Sequence, residues 1–448
     1  MQSSRKTFLM GLAGAAVAST ARSIPRLNFA PDRVKLAVVG AGGRGADDLK
    51  DLVATDAVEV VALCDCDPRQ AAGSIKNHPK ASIYTDWRKL LEHYKEFDAI
   101  LVATPDHNHA PISISAMNLG KHVYCEKPLA HSVWEARKMS EVSKQKRVVT
   151  QMGTQGHAYE GTRRAVEVMR AGILGEVKEL HVWTDRPAGW WPQGVRRPEI
   201  GEPQPPGLDW DVWLGPAPNA VYHSAYLPFK WRGFWDYGTG AIGDMGIHNL
   251  DTAYWGLELG LPTSVHVLDC SGKTGDPEMR DSAPLWSISE LHFPARGKQP
   301  AIKMFWYDGG KLPPKELFKG EELYSKDGGS LIIGSKGTLF TRTWHGGENE
   351  SDMFKLMMND PHEGWTPKIQ TLPRTKSHHQ EFVDACRGMG KTQSHFGYAA
   401  RLTESLLLAN VAIRTGKEII WDARAMKATG VPEADRFLHP EFRSGWGV

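Results

Sequence analysis

The stretch that decides the fold is Val34-Lys35-Leu36-Ala37-Val38-Val39-Gly40-Ala41-Gly42-Gly43-Arg44-Gly45. It begins as a short apolar run and continues into the pattern G-x-G-x-x-G, followed by a helical stretch. In such a pattern the first glycine makes a tight turn, the second lets the backbone approach a pyrophosphate, and the third lets helix and strand pack closely. The stretch therefore predicts the strand–turn–helix start of a dinucleotide-binding domain.

Four further apolar runs follow at residues 58–63, 99–103, 122–125 and 148–152, and polar helical stretches separate them. Near-continuous apolar strands that alternate with helices are typical of a parallel sheet covered on both faces. We therefore predict an α/β fold that starts with a doubly wound, Rossmann-type parallel sheet.

The character of the chain changes after about residue 156, where strand-like segments separated by Gly and Pro predict a large, mostly antiparallel sheet. A chain of 448 residues is also too long for one core. We divide it into a signal segment at 1–30, a Rossmann domain at 31–155 and an α+β domain for substrate binding and oligomerisation at 156–448.

The N-terminal segment has a basic region, Arg5-Lys6, a short apolar run at 11–18, and then small residues. This order is typical of a signal peptide, and the run is too short to span a bilayer. It resembles a twin-arginine export signal with Lys in the second basic position, so we expect a periplasmic protein. Ordinary secretory export and a lipoprotein anchor are the alternatives.

Charge and cysteine usage exclude several functions. The formal net charge is +2, so a nucleic-acid partner is not expected. The five cysteines form no zinc pattern and no evident disulfide framework. His107 and His109 match no familiar metal-ligand spacing, and we expect no metal.

Asp65 ends the second apolar run, 20 residues after Gly45. An acid at this place is expected to hydrogen-bond the ribose 2′-hydroxyl of a dinucleotide and to repel a 2′-phosphate, which favours NAD over NADP. Asp67 is the competing acid. Thr104-Pro105 ends the third run, and His109 follows it, so we expect them to face the same crevice.

Cys125-Glu126-Lys127-Pro128 follows the fourth run. Together with the glycine pattern and Thr104-Pro105, it resembles the Gfo/Idh/MocA family, whose glucose–fructose oxidoreductase and inositol dehydrogenase members share an E-K-P motif. The resemblance implies a cis peptide at Pro128 and a Lys127 that points at substrate and nicotinamide. The predicted cofactor residues are Gly40, Gly42, Gly43, Arg44, Gly45, Asp65, Thr104, Pro105, His109, Glu126 and Lys127.

Asp244, His248 and Asp251 are spaced so that one helix face presents all three. Two carboxylates and an imidazole are costly to bury unpaired, so they indicate a polar site. The segment matches the family pattern D-x-G-x-H-x-x-D residue for residue. The resemblance implies that Asp244 and His248 bind sugar hydroxyls and that one of them relays a proton, which makes Lys127, Asp244 and His248 the predicted catalytic group.

A long loop rich in Trp, Pro and Gly lies between these motifs. Aromatic rings pack their apolar faces on sugar C–H surfaces, which favours a carbohydrate ligand. We place Trp191 and Trp235 among the predicted substrate-binding residues, next to Lys127, Asp244 and His248. Arg232 is one of several possible polar contacts.

Three functions remain open. The first is an NAD-dependent oxidoreductase that acts on a sugar or glycoside hydroxyl with a tightly bound, recycled cofactor, because free NAD is scarce outside the cytoplasm. The second is an NAD-using glycosidase that works through a keto-sugar. The third is a sugar-binding protein without catalysis. The resemblance also implies a homodimer or homotetramer.

Overall fold

The first sheet forms where short apolar runs end in turn residues. The computed structural model describes residues 32–321, 328–342, 354–360 and 370–447, and the predicted signal segment lies outside them. Six strands make this sheet: β1 (Val34–Val39), β2 (Val58–Cys64), β3 (Ser82–Tyr84), β4 (Ala99–Val102), β5 (His122–Cys125) and β6 (Thr150–Met152).

The strands lie in the order β3-β2-β1-β4-β5-β6, and every pair is parallel. The order reverses between β1 and β4, which is where open α/β sheets bind ligands at the carboxyl ends of their strands. The sheet confirms the predicted Rossmann-type arrangement. The helices between its strands are α1 (Gly43–Val53), α2 (Ala72–Asn77), α3 (Trp87–Glu92), α4 (Asp106–Asn118) and α5 (Val133–Lys146).

Local sequence explains most of these boundaries. Helix α5 begins with a reciprocal capping box, in which Ser132 Oγ accepts from the Glu135 backbone N–H and Glu135 Oε2 accepts from the Ser132 N–H. Strand β3 was not predicted from the sequence, because it has three residues, two of them are exposed, and it makes no apolar run.

The second sheet has nine strands in the order β13-β12-β11-β7-β10-β9-β8-β14-β15 within the described residues. Strands β7 and β10 are parallel and the other pairs are antiparallel, which confirms the predicted mostly antiparallel sheet. The strands are β7 (Val177–Trp183), β8 (Ser264–Cys270), β9 (Ser287–Phe293), β10 (Ile302–Tyr307), β11 (Gly329–Gly334), β12 (Gly337–Thr341), β13 (Phe354–Met358), β14 (Ile419–Asp422) and β15 (Lys427–Ala428).

Helices accompany the second sheet. They are α6 (Glu160–Arg170), α7 (Trp210–Leu214), α8 (Ile247–Gly256), α9 (Pro277–Asp281), α10 (His378–Cys386), α11 (Phe396–Thr415) and α12 (Asp435–Leu438), with a π-helical turn at Ile242–Gly246 before α8. Helix α11 packs against α5 of the first sheet. Arg137 on α5 donates two hydrogen bonds, at 2.7 and 2.6 Å, to the buried carboxylate of Glu404 on α11. A bidentate pair of this kind sets the orientation of the two helices as well as their contact.

All five cysteines are free thiols in the structure. Within the described residues, no helix combines the length and the apolar character needed to cross a bilayer.

Candidate active site

A cleft opens at the carboxyl ends of β1, β2, β4 and β5. Its lining includes Gly40 after β1, Asp65 after β2, Thr104 after β4 and Glu126 after β5, and residues of the second domain close its other wall. The cavity measures about 660 Å³. This size is within the usual range for small-molecule and cofactor sites.

The glycine loop has the geometry that its pattern predicts. Gly40 adopts a φ of +82°, and a Cβ placed on it would lie 2.5 Å from the Ala103 carbonyl oxygen. A Cβ on Gly45 would lie 1.8 Å from the Gly40 carbonyl oxygen, so only glycine lets α1 start this close to β1. Gly42 and Gly43, which lie between Gly40 and Gly45 in the loop, line the cleft.

The residues present at this loop fit a dinucleotide. No side chain caps the N-terminus of α1, so its first backbone N–H groups stay available to an anion. Gly43 lines the cleft, and a Cβ on it would meet open space. Thr104 Oγ1 is buried in the lining and has no hydrogen-bond partner among the described residues. Free N–H groups, an open cradle and an orphaned hydroxyl suit a phosphate and ribose chain.

Asp65 lines the cleft and braces the glycine loop at the same time. Its Oδ2 accepts from the Gly42 N–H at 3.2 Å, and its Oδ1 accepts from the Asp67 N–H at 3.0 Å. Each oxygen retains a lone pair for a ribose hydroxyl. Burial raises the pKa of Asp65 to about 6, so it is mostly ionised at neutral pH.

We predict that Gly43→Ala weakens NAD binding roughly tenfold or more, about 1.4 kcal/mol or above. The new methyl group would enter the cradle itself, because Gly43 lines the cleft. Its φ of +49° also adds strain of about 1 to 2 kcal/mol for alanine. NAD titration of purified protein measures the effect. Gly120→Ala is the matched control, because Gly120 has a φ of +77° and open space around it, but does not line the cleft. Equal NAD affinity in both variants would contradict the assignment of the cradle.

Lys127 joins the two domains at the reacting end of the cleft. The Lys127–Pro128 peptide is cis, as the family resemblance implied. The Lys127 ammonium donates to Asp244 Oδ1 at 2.7 Å and to the Asp244 carbonyl oxygen at 3.1 Å. Both side chains line the cavity and are largely buried. The structure therefore brings two of the three predicted catalytic residues into direct contact.

Asp244 is surrounded by cations. Arg186 Nη1 donates to its Oδ2 at 2.7 Å, and Arg232 Nε donates to its Oδ1 at 3.3 Å. Burial by itself would raise the pKa of this carboxyl, but the charges of Lys127, Arg232 and Arg186 outweigh burial and hold the pKa far below its usual range. Asp244 is thus a fixed anion and no proton carrier at neutral pH.

His248 lies one turn after Asp244, on α8, and is 4% exposed. Burial lowers the pKa of its imidazole well below the usual value, and the positive charge of Lys127 lowers it further. The ring is therefore neutral at pH 7 and able to accept a proton. It is not part of the cavity lining, whereas Lys127 and Asp244 are.

Asp251 departs from the predicted common helix face. Its carboxylate accepts from Tyr398 Oη at 2.6 Å and contacts His157 Nδ1 at 2.8 Å, away from Lys127. The turn Ile242–Gly246 is π-helical, and its wider repeat separates Asp244 from the regular spacing of α8. Asp251 orients buried side chains and does not join the cleft.

Two cofactor residues of the prediction, Glu126 and Arg44, line the cleft and also join a polar network beside the glycine loop. Glu126 Oε1 accepts from Gln155 Nε2 at 2.7 Å and lies 3.5 Å from Arg44 Nε, while Arg44 also pairs with Asp48. Burial raises the pKa of Glu126 to about 7 and that of Asp48 to about 6. Asp48 and Gln155 were not predicted from the sequence, because only the fold brings them next to the E-K-P motif.

His109 does not reach the cleft, which corrects the prediction that it contacts the cofactor. Its Nε2 lies 2.8 Å from the Thr104 carbonyl oxygen and its Nδ1 lies 2.8 Å from that of Pro128. The ring therefore ties together the two loops that follow β4 and β5. Thr104 and Pro105 themselves line the cavity.

His107 is buried as well, and its ring nitrogens face the carbonyl oxygens of Tyr237 and Trp213. Among the described residues, no group of three His, Cys, Asp or Glu side chains is placed to hold a metal ion.

Trp191 and Trp235 also lie outside the lining, which corrects their predicted contact with substrate. Trp235 is 4% exposed, packs against Met279 and donates its indole N–H to the Met279 carbonyl oxygen at 2.9 Å. Trp191 is 6% exposed and stands against Phe229, one layer behind the cleft. Large apolar side chains are usually buried in the core unless the backbone holds them at the surface.

Other residues of the same long loop line the cleft. Trp190, Phe229 and Trp231 line the cleft, together with Arg186 and Arg232. Arg232 was predicted from the sequence only as one possible polar contact, and Arg186 was not predicted. Arg186 precedes Pro187 and Arg232 follows Trp231, and neither local pattern says which side chain faces the cleft.

Comparison with known proteins agrees with this arrangement. Residues 34–154 match the Gfo/Idh/MocA family model described as an oxidoreductase family with an NAD-binding Rossmann fold. Residues 164–276 match that family's C-terminal alpha/beta domain. The two matches together span more than half of the chain.

Two curated relatives and one solved structure illustrate the likeness. A glycosyl hydrolase family 109 protein of Stenotrophomonas maltophilia is 32% identical over 200 residues, which cover 39% of this chain and 41% of that protein. An inositol 2-dehydrogenase of Salmonella typhimurium is 29% identical over 152 residues, 33% of this chain and 45% of that protein. The chain thus spans less than half the length of these relatives.

The WlbA dehydrogenase from Bordetella pertussis, solved with NADH and UDP-GlcNAcA, superposes with a TM-score of 0.59 at 18% identity, covering 87% of this chain and 99% of that one. This likeness concerns the fold. The glycine loop and both matched domains identify the chain as a member of the Gfo/Idh/MocA oxidoreductase family, with that family's NAD-binding Rossmann domain.

Proposed function

We propose that this protein is an NAD-dependent oxidoreductase that removes a hydride from the carbon of a sugar or glycoside hydroxyl group. The observation that carries the proposal is the contact between Lys127 and Asp244 in the same cleft as the glycine loop. A fixed ammonium beside a dinucleotide site is suited to hold a hydroxyl oxygen while its carbon is oxidised.

The residues divide this work between them. NAD, when bound, supplies the acceptor for the hydride. The Lys127 ammonium, held by Asp244, donates to the substrate oxygen and stabilises the negative charge that develops there. His248 is neutral and does not line the cavity, so it accepts the proton that the hydroxyl group loses by way of Lys127. Glu126 and Arg44 steady the loop between cofactor and substrate.

The test begins with the cofactor. Purified protein is denatured and its supernatant is analysed for nicotinamide, and the protein is then supplied with a panel of sugars and glycosides. Bound NAD and substrate-dependent formation of NADH, or oxidation of one sugar coupled to reduction of another, support the proposal. A protein that has no affinity for NAD contradicts it.

A redox-cycling glycosidase is the second candidate. It is favoured by the 32% identity to a glycosyl hydrolase family 109 protein. In this chemistry a transient keto-sugar permits the aglycone to leave, and the hydride then returns, so no net NADH forms. Release of an aglycone without net NADH selects this candidate over the first.

The pH dependence tests the role of His248. Because its pKa is lowered, the neutral imidazole persists as the pH falls through 6.5. We expect no loss of kcat/KM from this residue near pH 6.5, and a loss only well below that value. A profile from about pH 5 to about pH 8 measures it. His248→Asn should abolish turnover while NAD stays bound, and an active variant would refute the assigned role.

We further propose that the protein is exported to the periplasm and carries its cofactor with it. The support is the basic and apolar order of residues 1–30, which resembles a twin-arginine signal that transports folded proteins. Cell fractionation with N-terminal sequencing of the mature protein tests this. A cytoplasmic protein with an intact N-terminus contradicts it.

A homodimer or homotetramer through the second sheet is proposed as well. Buried and half-buried side chains alternate along β9, so one sheet face presents partly covered positions such as Ile288 and Glu290. Light scattering on a sizing column decides between one, two and four copies. A monomer at micromolar concentration contradicts the proposal.

A further inference from the structure

The wall of the cleft opposite the glycine loop displays two guanidinium groups. Arg186 and Arg232 both line the cavity, and their side chains are 14% and 18% exposed. Each contacts Asp244 with one N–H group. They are therefore mostly shielded from solvent, yet they border the space that a substrate would fill.

Aromatic rings hold both guanidinium planes in place. Arg186 lies 3.9 Å from the ring centre of Trp190. Arg232 lies 3.8 Å from the ring centre of Phe229 and 4.4 Å from that of Trp231. A guanidinium stacked in this way loses little further conformational freedom when it binds an oxyanion.

Cations outnumber anions at this wall. Lys127, Arg186 and Arg232 face the carboxylates of Asp244 and Asp106, where Asp106 is buried and accepts from Thr239 Oγ1 at 2.7 Å. Burial raises the pKa of Asp106 to about 6 and that of Glu126, which adjoins Lys127, to about 7. At pH 7 these three cations therefore face two mostly ionised carboxylates and one that is about half ionised, so a positive charge remains that an anionic substrate group would offset.

Two hydrogen-bond donors without an acceptor in the described part of the chain also favour an anionic ligand. Within the described residues, Nη2 of Arg186 and Nη2 of Arg232 have no acceptor. A sugar hydroxyl both donates and accepts, whereas a carboxylate or sulfate only accepts and matches the guanidinium fork. An acceptor-only group satisfies this wall better than a neutral sugar face does.

We propose that the substrate is an acidic sugar, whose carboxylate or sulfate oxygens bind Arg186 and Arg232 while its reacting hydroxyl lies at Lys127 and Asp244. The proposal rests on the proposed function, because it names the substrate class of the same cleft. It assigns the two arginines to specificity and leaves the hydride chemistry to the other residues.

Calorimetric titration of NAD-loaded protein tests this without requiring turnover. The probes are methyl uronides, methyl glycoside 6-sulfates and the matching neutral methyl glycosides, each in the gluco, galacto and manno series. We expect one acidic probe to bind roughly 10- to 100-fold more tightly than its neutral counterpart. The uronide and the sulfate arms identify which oxyanion is preferred.

Two results would overturn the proposal. One is a neutral glycoside that binds as tightly as its acidic counterparts, and the other is the absence of binding by every acidic probe at millimolar concentration. NADH formation from a neutral sugar alone would leave the proposed function standing and remove this inference. Tight binding of an acidic probe without any redox or glycosidase turnover would support the acidic ligand class and contradict the proposed function.

Variants locate the effect. Arg186→Gln and Arg232→Gln should each reduce the acidic preference roughly tenfold, because each removes one charge-assisted contact. Arg196→Gln is the matched control from the same loop, since Arg196 is half exposed and pairs with Glu199. If both cleft variants keep the wild-type preference for the acidic probe, another group causes that preference and the proposal is contradicted.

Discussion

Lys127→Met should lower kcat by roughly 10²- to 10⁴-fold, the range for removal of a positioned acid–base or charge-stabilising group. NAD affinity should stay within a few-fold of the wild-type value, because the glycine loop, Asp65 and Thr104 are untouched. Methionine replaces the aliphatic part of the side chain but removes the ammonium that contacts Asp244 Oδ1 at 2.7 Å. Single-turnover hydride transfer and NAD titration measure the two effects separately.

The variant should still fold, since Arg186 and Arg232 remain to neutralise Asp244. Lys121→Met is the matched control. Lys121 donates to the Phe97 carbonyl oxygen at 2.7 Å and does not line the cleft, so turnover should not change. A Lys127→Met protein that folds, binds NAD and retains more than a tenth of the wild-type rate would refute the assigned role.

Asp244→Asn is expected to damage both stability and turnover. The carboxylate is 6% exposed and is the shared partner of Lys127, Arg186 and Arg232. Its removal leaves three cations close together in a shielded wall. Breaking a buried ion pair by removing one partner costs about 3 to 5 kcal/mol. Denaturant unfolding of the NAD-free protein measures the loss.

Turnover should fall together with stability, because Lys127 loses the group that orients its ammonium. Asp236→Asn provides the comparison. Asp236 pairs with Arg197 at 2.9 Å, but the two side chains are 28% and 40% exposed, so the cost should be well below that for Asp244. Equal unfolding midpoints for the two variants would show that Asp244 does not hold the cluster together.

Local pattern was sufficient wherever the chemistry is local. The apolar run at Val34–Val39 and the glycines after it predicted the strand, the turn and the start of α1, because steric limits on φ and on helix–strand distance act within a few residues. The start of α5 is likewise a local feature, because Ser132 and Glu135 of its capping box are three residues apart.

Resemblance carried the prediction across a longer distance. The E-K-P motif and the Asp244 segment are 117 residues apart, and the structure places Lys127 against Asp244. Periodicity alone implied a single face for Asp244, His248 and Asp251, but the π-helical turn breaks that regularity and directs Asp251 to His157.

The sequence by itself thus determined the Rossmann domain and its glycine loop, and it identified Lys127 and Asp244 as the central residues of the site. Only the tertiary structure decided which side chains of the long aromatic loop reach the cleft. In the structure Trp191 and Trp235 are buried and pack against other side chains. The residues of this loop that line the cleft include Arg186, Arg232 and Trp190. The reason is physical: exposure to a cleft depends on how two domains close around it, and burial depends on contacts between residues far apart in the chain.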